Sequence, residues 1–157
     1  MSNHIVLHQP EIPANTGNIA RTCVGTGTHL HLIRPLGFST DDKMLKRAGC
    51  DYWPNVDIHY YDSLNELFQK WPAGEFFYIE TIGSHPYSAF DYTDSSIDYF
   101  FVFGSETSGL PEDITQKNKE HCLRIPQNDQ VRSLNLSNTA AIVIYEALRQ
   151  QQFLDLY

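Results

Sequence analysis

The sequence predicts an α/β domain with a largely parallel sheet and helices on both faces, and three observations carry that expectation. Short β-type runs alternate with helix-like stretches from one end of the 157-residue chain to the other. The runs are spaced for crossover connections. No repeat, linker or low-complexity tract breaks the pattern, so residues 1–157 read as one domain.

In chain order, Ile5–His8, His29–Ile33, Val56–Tyr60, Phe76–Ile82, Tyr99–Phe103 and Cys122–Ile125 have the composition of strands. Between the first two, Asn15 is placed to cap a helix running to about Val24, and Gly25-Thr26-Gly27 reads as its stop. Ser39 to Asp41 can open a second helix through Ala48. Ser63-Leu64-Asn65-Glu66 has the form of a capping box ahead of Leu67-Phe68. The clearest helix is the last, from about Ser137 to Phe153. There Ala140, Ala141, Val143, Ile144, Ala147 and Leu148 form a broad apolar stripe, and Asn135 or Ser137 can cap it. The one long irregular stretch, Gly83 to Ser96, reads as a surface connection.

Composition narrows the function. Eleven Lys and Arg against nineteen Asp and Glu leave a formal charge of −8, which speaks against non-specific coating of nucleic acid, so any such site must be local. With 41% hydrophobic and 13% aromatic residues, the chain has enough apolar material for a true core. No window approaches the roughly 18 apolar residues of a membrane span, and Met1 to Pro10 lacks a secretory pattern, so a cytoplasmic location is expected. Cys23, Cys50 and Cys122 are odd in number and widely spaced. Reduced thiols are expected, not a disulfide framework or a zinc knuckle.

Three segments have the residue types that chemistry needs. Asn15-Thr16-Gly17-Asn18-Ile19-Ala20-Arg21 follows the first strand through two prolines, where a helix N-terminus attracts anions. From there Arg21 can reach back to hold a phosphate or a developing oxyanion, unless the segment is only a cap and a surface arginine. Phe103-Gly104-Ser105-Glu106-Thr107-Ser108-Gly109-Leu110 opens from a hydrophobic strand into a loop, at the strand end where open α/β sheets bind ligands. Gly104 would let backbone approach a ligand and Gly109 would take a positive φ. This loop has neither the Gly-Lys-Ser/Thr of a phosphate loop nor the spacing of a nucleophile elbow. Finally, Ile125-Pro126 through Ser133-Leu134-Asn135-Leu136-Ser137-Asn138 has more short polar side chains than one cap requires. Ser133 and Asn135 can set a hydroxyl and an amide against one ligand, or merely brace a turn.

Other candidates are weaker. His29 and His31 share a strand face, but with no third ligand close in sequence no metal site is expected. Asp41-Asp42 and Asp51 read as caps or solvated acids. Tyr52-Trp53 and Tyr60-Tyr61 read as packing or interface residues.

Taken in this order within so short a chain, the three segments resemble the motifs of the SPOUT superfamily of RNA methyltransferases. They are most like its minimal branch, which methylates the ribose 2′-hydroxyl of the tRNA wobble nucleotide. The resemblance runs from Ile5-Val6-Leu7 to Tyr145-Glu146-Ala147 and is strengthened by Gly37-Phe38, Asp41-Asp42-Lys43 and Arg47-Ala48-Gly49. It implies an α/β knot, a C-terminal segment threaded into a deep trefoil, which periodicity alone would not suggest. It also implies S-adenosylmethionine as methyl donor, S-adenosylhomocysteine as product, no metal, and a homodimer. By motif position the cofactor contacts fall on Ile79, Thr81, Gly83, Gly104, Glu106, Ile125, Ser133 and Leu134. Arg21 and Asn135 take catalytic positions, with Arg21 near the partner's cofactor site. Glu106 is expected to order its loop and not to act as a base.

The substrate implied is a tRNA anticodon stem-loop methylated at position 34, on cytidine, modified uridine or both, with Arg21, Arg34, Lys43, Arg47 and Arg132 as the basic residues available to grip it. The alternatives are a knotted RNA-binding adaptor without turnover, methylation at another RNA site, and a small-nucleotide-binding α/β domain or hydrolase. The missing lysine loop and nucleophile elbow disfavour the last of these.

Overall fold

A computed structural model describes residues 1–41, 43, 45, 47 and 50–157. The strands are β1 (Asn3–His8), β2 (His29–Ile33), β3 (Ile58–Tyr61), β4 (Glu75–Ile79), β5 (His85–Pro86), β6 (Tyr99–Phe103) and β7 (Cys122–Arg124). They form one sheet in the order β3-β2-β1-β6-β4-β7-β5, and every pairing in it is parallel. Parallel strands covered on both faces need apolar residues on both sides. The central strands meet that demand: Ile5, Val6 and Leu7 of β1 and Phe100 to Phe103 of β6 are all buried.

The helices are α1 (Pro13–Thr26), α2 (Leu64–Lys70), α3 (Glu112–Lys117) and α4 (Leu136–Gln150). One face of the sheet carries α1 and α4, whose Ile19, Ala20, Cys23, Val143, Ile144 and Ala147 pack with Ile5, Leu7, Phe101 and Phe103. The other face carries α2 through Leu64 and Leu67, packed on Val6, Phe100 and Val102, with Ile114 of α3 at its edge. Helices thus cover both faces, as expected. Because all strands run the same way, their carboxyl ends lie along one rim, and the loops that leave it are brought together there.

The local signals hold in most places. Ser63 caps α2 by accepting a 3.2 Å bond from the Glu66 amide. The Glu66 carboxylate reaches back to the amide of Asp62, not that of Ser63, so the box closes one residue early. Gly27 ends α1 in the left-handed region at φ 66°. The second and sixth expected runs match β2 and β7 to within a residue, but the fourth stops at Ile79, after which the chain turns and the Gly83 amide bonds back to the Glu80 carbonyl at 3.1 Å. The short β5 lies inside the stretch read as irregular. Two residues added beside β7 leave no periodic signal. The expected helix from Ser39 through Ala48 lies largely outside the described residues. Cys23 and Cys122 are buried free thiols, and burial pushes the Cys23 thiol up to about 12. Among the described residues no helix is long and apolar enough to cross a membrane.

At the amino ends of the strands the face under α2 carries an aromatic column. His4 stacks on Phe100 at 4.0 Å and on His29 at 4.6 Å, while His31 stacks on His59 at 4.9 Å. His4 Nδ1 and His31 Nε2 are hydrogen-bonded at 2.9 Å, and the other nitrogen of His31 meets the Tyr61 hydroxyl at 3.2 Å. Burial drives both buried imidazoles toward the neutral form, His4 to about 3 and His31 to about 2.

Candidate active site

A cavity of about 480 Å³ opens at the carboxyl ends of β4, β6 and β7, against the starts of α1 and α4. Seven of the eight residues expected to contact a cofactor line it: Ile79, Thr81, Gly104, Glu106, Ile125, Ser133 and Leu134. Asn135 and Arg132 line it as well. The parallel sheet is what assembles this set, since residues far apart in sequence leave neighbouring strands at the same rim.

The wall is held by a polar network that spans all three sequence segments. The Glu106 carboxylate accepts the backbone amides of Glu11 at 2.8 Å and Ile12 at 3.0 Å, and the side-chain amide of Asn15 at 3.3 Å. Asn15 in turn accepts a 3.0 Å bond from Asn135 Nδ2. The Oδ1 of Asn135 caps α4, taking the amides of Ser137 and Asn138 and the Ser137 hydroxyl. A second clasp runs the opposite way, from the amide and hydroxyl of Thr107 to the Glu11 carboxylate, the hydroxyl at 2.6 Å. Those two bonds hold the Glu11 carboxyl below the usual carboxylate range.

This network corrects the reading of the first segment. The N-cap of α1 is Ile12 with no side-chain cap, Pro13 follows, and Asn15 is buried inside the first turn. The anion expected at this helix start is supplied by the chain itself, as Glu106, because proline at the first turn has no amide to offer and the preceding amides need an acceptor. Arg21 is exposed and does not line its own cavity. Six residues of helix carry it about 9 Å beyond Asn15, away from the strand-end rim.

Two glycine expectations also change. Gly104 admits backbone closely, but the backbone is that of its own loop: a Cβ there would lie 2.1 Å from the carbonyl carbon of Gly109. Gly109 does take the expected positive φ, 67°. Its amide bonds back to the Ser105 carbonyl at 3.0 Å, so the loop is folded flat on itself. Gly83 is not on the cavity wall. It is buried where the chain passes β7, and a Cβ would lie 2.4 Å from the carbonyl carbon of Leu123. Its own carbonyl accepts a 2.9 Å bond from Arg124.

Glu80 lines the cavity and escaped the sequence reading. Its carboxylate accepts the Leu110 amide at 2.6 Å, tying the end of β4 to the loop after β6. Partial burial raises its pKa against the lowering effect of the Leu110 and Thr81 amides. The one available signal was a lone acid directly after an apolar run.

Of the other basic candidates, Arg132 donates to the Thr107 carbonyl at 3.2 Å on the cavity wall. Arg34 lies elsewhere, paired with Asp62 at 3.0 Å and set over the exposed Tyr60 ring at 5.5 Å. Lys43 and Arg47 are exposed. Of the five cations, Arg132 is the one that lines the cavity.

Comparison with known proteins agrees with this architecture. A protein of Listeria monocytogenes serotype 4b (strain F2365) is 71% identical over 153 residues, covering 98% of this chain and 90% of the relative. A Methylovorus glucosotrophus (strain SIP3-4) protein named tRNA (cytidine(34)-2'-O)-methyltransferase is 47% identical over 150 residues, covering 95% of this chain and 96% of the relative. A solved structure described as "Structural insights into the 2-OH methylation of C/U34 on tRNA" superposes with a TM-score of 0.89 at 40% identity, covering 97% of each chain. The profile of the SpoU rRNA Methylase family matches residues 2–145, so this chain, with its parallel sheet and cavity at the strand-end rim, belongs to that family.

Proposed function

We propose that the chain is an S-adenosylmethionine-dependent tRNA 2′-O-methyltransferase acting on the ribose of nucleotide 34, cytidine, modified uridine or both. The observation that supports this most is the Glu106–Asn15–Asn135 network, which closes all three motif segments around a single cavity. Its volume lies within the roughly 300–1,000 Å³ of small-molecule sites. The apolar side chains of Ile79, Phe103, Ile125 and Leu134 beside hydroxyls and main chain fit a nucleoside-bearing donor. The chemistry S-adenosylmethionine brings when bound is an electrophilic methyl on a sulfonium, released in line to leave S-adenosylhomocysteine. The names of relatives that cover nearly the whole chain support the same substrate.

In this reading the protein's share is alignment, which can supply about 7 kcal/mol or more of the barrier. Arg21 is exposed and does not line its own cavity, and in a homodimer it serves the partner's. Its guanidinium is a planar hydrogen-bond donor with no acceptor, so it is not the base. It orients the ribose hydroxyl or a neighbouring phosphate and stabilises the developing oxyanion, while phosphate or water takes the proton. Arg21→Lys keeps the charge but loses the planar pair of donors, and turnover is expected to fall at least tenfold with unfolding unchanged. Arg34, Lys43, Arg47 and Arg132 supply the phosphate contacts, so affinity for an anticodon stem-loop falls steeply as salt rises. The carboxyl-terminal threading belongs to this reading too, supported by the tight crossing of Gly83 over β7. A cytoplasmic site follows from the tRNA substrate.

The decisive experiment is incubation with bulk tRNA and methyl-labelled donor, followed by nuclease mapping. Label on the ribose of nucleotide 34 is expected. Label on a base, or none while donor and tRNA both bind, would replace this reading with another reaction or with an adaptor role.

A further inference from the structure

The amino end of the sheet, opposite the cavity, holds a cluster that the methyl-transfer reading does not use. His29 opens β2, and the parallel register that pairs Leu30 with Ile58 and His31 with His59 sets Asp57 beside it, with His59 two residues further along the same face. The Leu30 amide donates to the Asp57 carbonyl at 2.9 Å, so backbone fixes the spacing. The Asp57 carboxylate is in contact with His29 Nδ1 through one oxygen and lies 3.1 Å from His59 Nε2 through the other. All three donor atoms lie within 4.8 Å of one another, and among the described residues this is the one such group of three.

We propose that His29, Asp57 and His59 form a binding site for a divalent transition-metal ion of the zinc type, fastening the edge strand β3 to β2. Zinc bonds of about 2.0–2.1 Å in a tetrahedron put donor atoms about 3.3 Å apart, a separation these side chains reach by small rotations. Two imidazoles and one carboxylate suit zinc and its neighbours. Magnesium and calcium call for more oxygens than the cluster has. The site is partly open, with His29 and His59 about one-third exposed and Asp57 more so, leaving a fourth position to water. The supporting shell is already rigid, because His29 is stacked on buried His4 and His59 on buried His31. Sequence spacing pairs His29 with His31 and misses this set, since the ligands that complete it lie 28 and 30 residues away, just before and within the neighbouring strand.

The test is a zinc titration of the full chain, stripped by chelator, in competition with a chromogenic indicator, with magnesium in parallel and amide exchange at Leu30 as a second readout. One zinc per chain is expected, with slower exchange at Leu30 on binding. Zinc affinity is expected to fall at least tenfold in Asp57→Asn and in His59→Gln. Both are near-isosteric changes at partly exposed positions, and each serves if the other fails to fold. Absence of stoichiometric zinc binding would overturn the proposal. So would parental affinity in both variants, which would place zinc on other groups such as the cysteines, or magnesium binding as tightly as zinc.

Discussion

The two ends of this sheet handle polar groups in opposite ways. At the carboxyl rim, charged Glu106, Glu80 and Glu11 each accept backbone amides from a loop distant in sequence, and the loops are held apart around a cavity. At the amino end, His4 is packed flat on Phe100 and His31 on His59, the two buried imidazoles are hydrogen-bonded to each other, and burial keeps both neutral. The difference teaches where each end is fragile. The rim depends on close backbone passages and charge-assisted bonds. The histidine column depends on proton occupancy.

The largest effect expected is at the rim. Gly104→Ala places a methyl 2.1 Å from the Gly109 carbonyl carbon, and backbone cannot yield there as a side chain can. A loss of about 3 kcal/mol or more is expected, with methylation abolished, measured by urea unfolding and a tRNA assay. Glu106→Ala comes next. It strips the acceptor from the Glu11 and Ile12 amides, and bonds to a charged acceptor contribute about 1.5–3 kcal/mol each when broken. Because this region is partly wet, about 2–3 kcal/mol in all is expected, with Glu106→Gln intermediate. A Glu106→Ala protein as stable as the parent would show that water replaces the carboxylate and that the rim is looser than drawn.

The amino end answers to pH instead. His4 and His31 titrate near 6.5 when unfolded and near 3 and 2 when folded, so below pH 6.5 the unfolded chain binds more protons and stability falls as pH drops. Between pH 7 and 5.5 the two together are expected to cost about 2 kcal/mol in chelator-treated protein. His4→Phe should flatten that slope by about half. Equal slopes in parent and variant would mean the column admits a proton without opening.

How much of this was legible in the sequence follows the same division. Apolar runs declared the central strands, and the stripe on α4 declared its buried face, because burial on a regular element repeats at a fixed spacing. Seven of the cofactor candidates proved to share one cavity wall, since motif position tracks strand ends. Gly83 did not, because its missing side chain answers to a chain crossing at Leu123 that no local pattern marks. The true cap of α1 was hidden for a related reason. Its acceptor, Glu106, comes from 94 residues away. Glu80 and the His29–Asp57–His59 group were missed likewise, being partnerships made only by strand order.

The smallest effect separates the two duties of Asn135. Its Oδ1 caps α4 while its Nδ2 reaches Asn15, so stability and positioning pass through one amide. Serine retains an N-cap acceptor but has no second arm, whereas alanine has neither. Asn135→Ala is expected to cost about 1 kcal/mol and Asn135→Ser only a few tenths. If the link to Asn15 is what aligns the third segment with the first, both variants should lose turnover to a similar degree, with kcat falling more than KM rises. A serine variant with full kcat would assign Asn135 to the helix alone and leave the tie between the rim and α1 to Glu106 and the Thr107–Glu11 clasp.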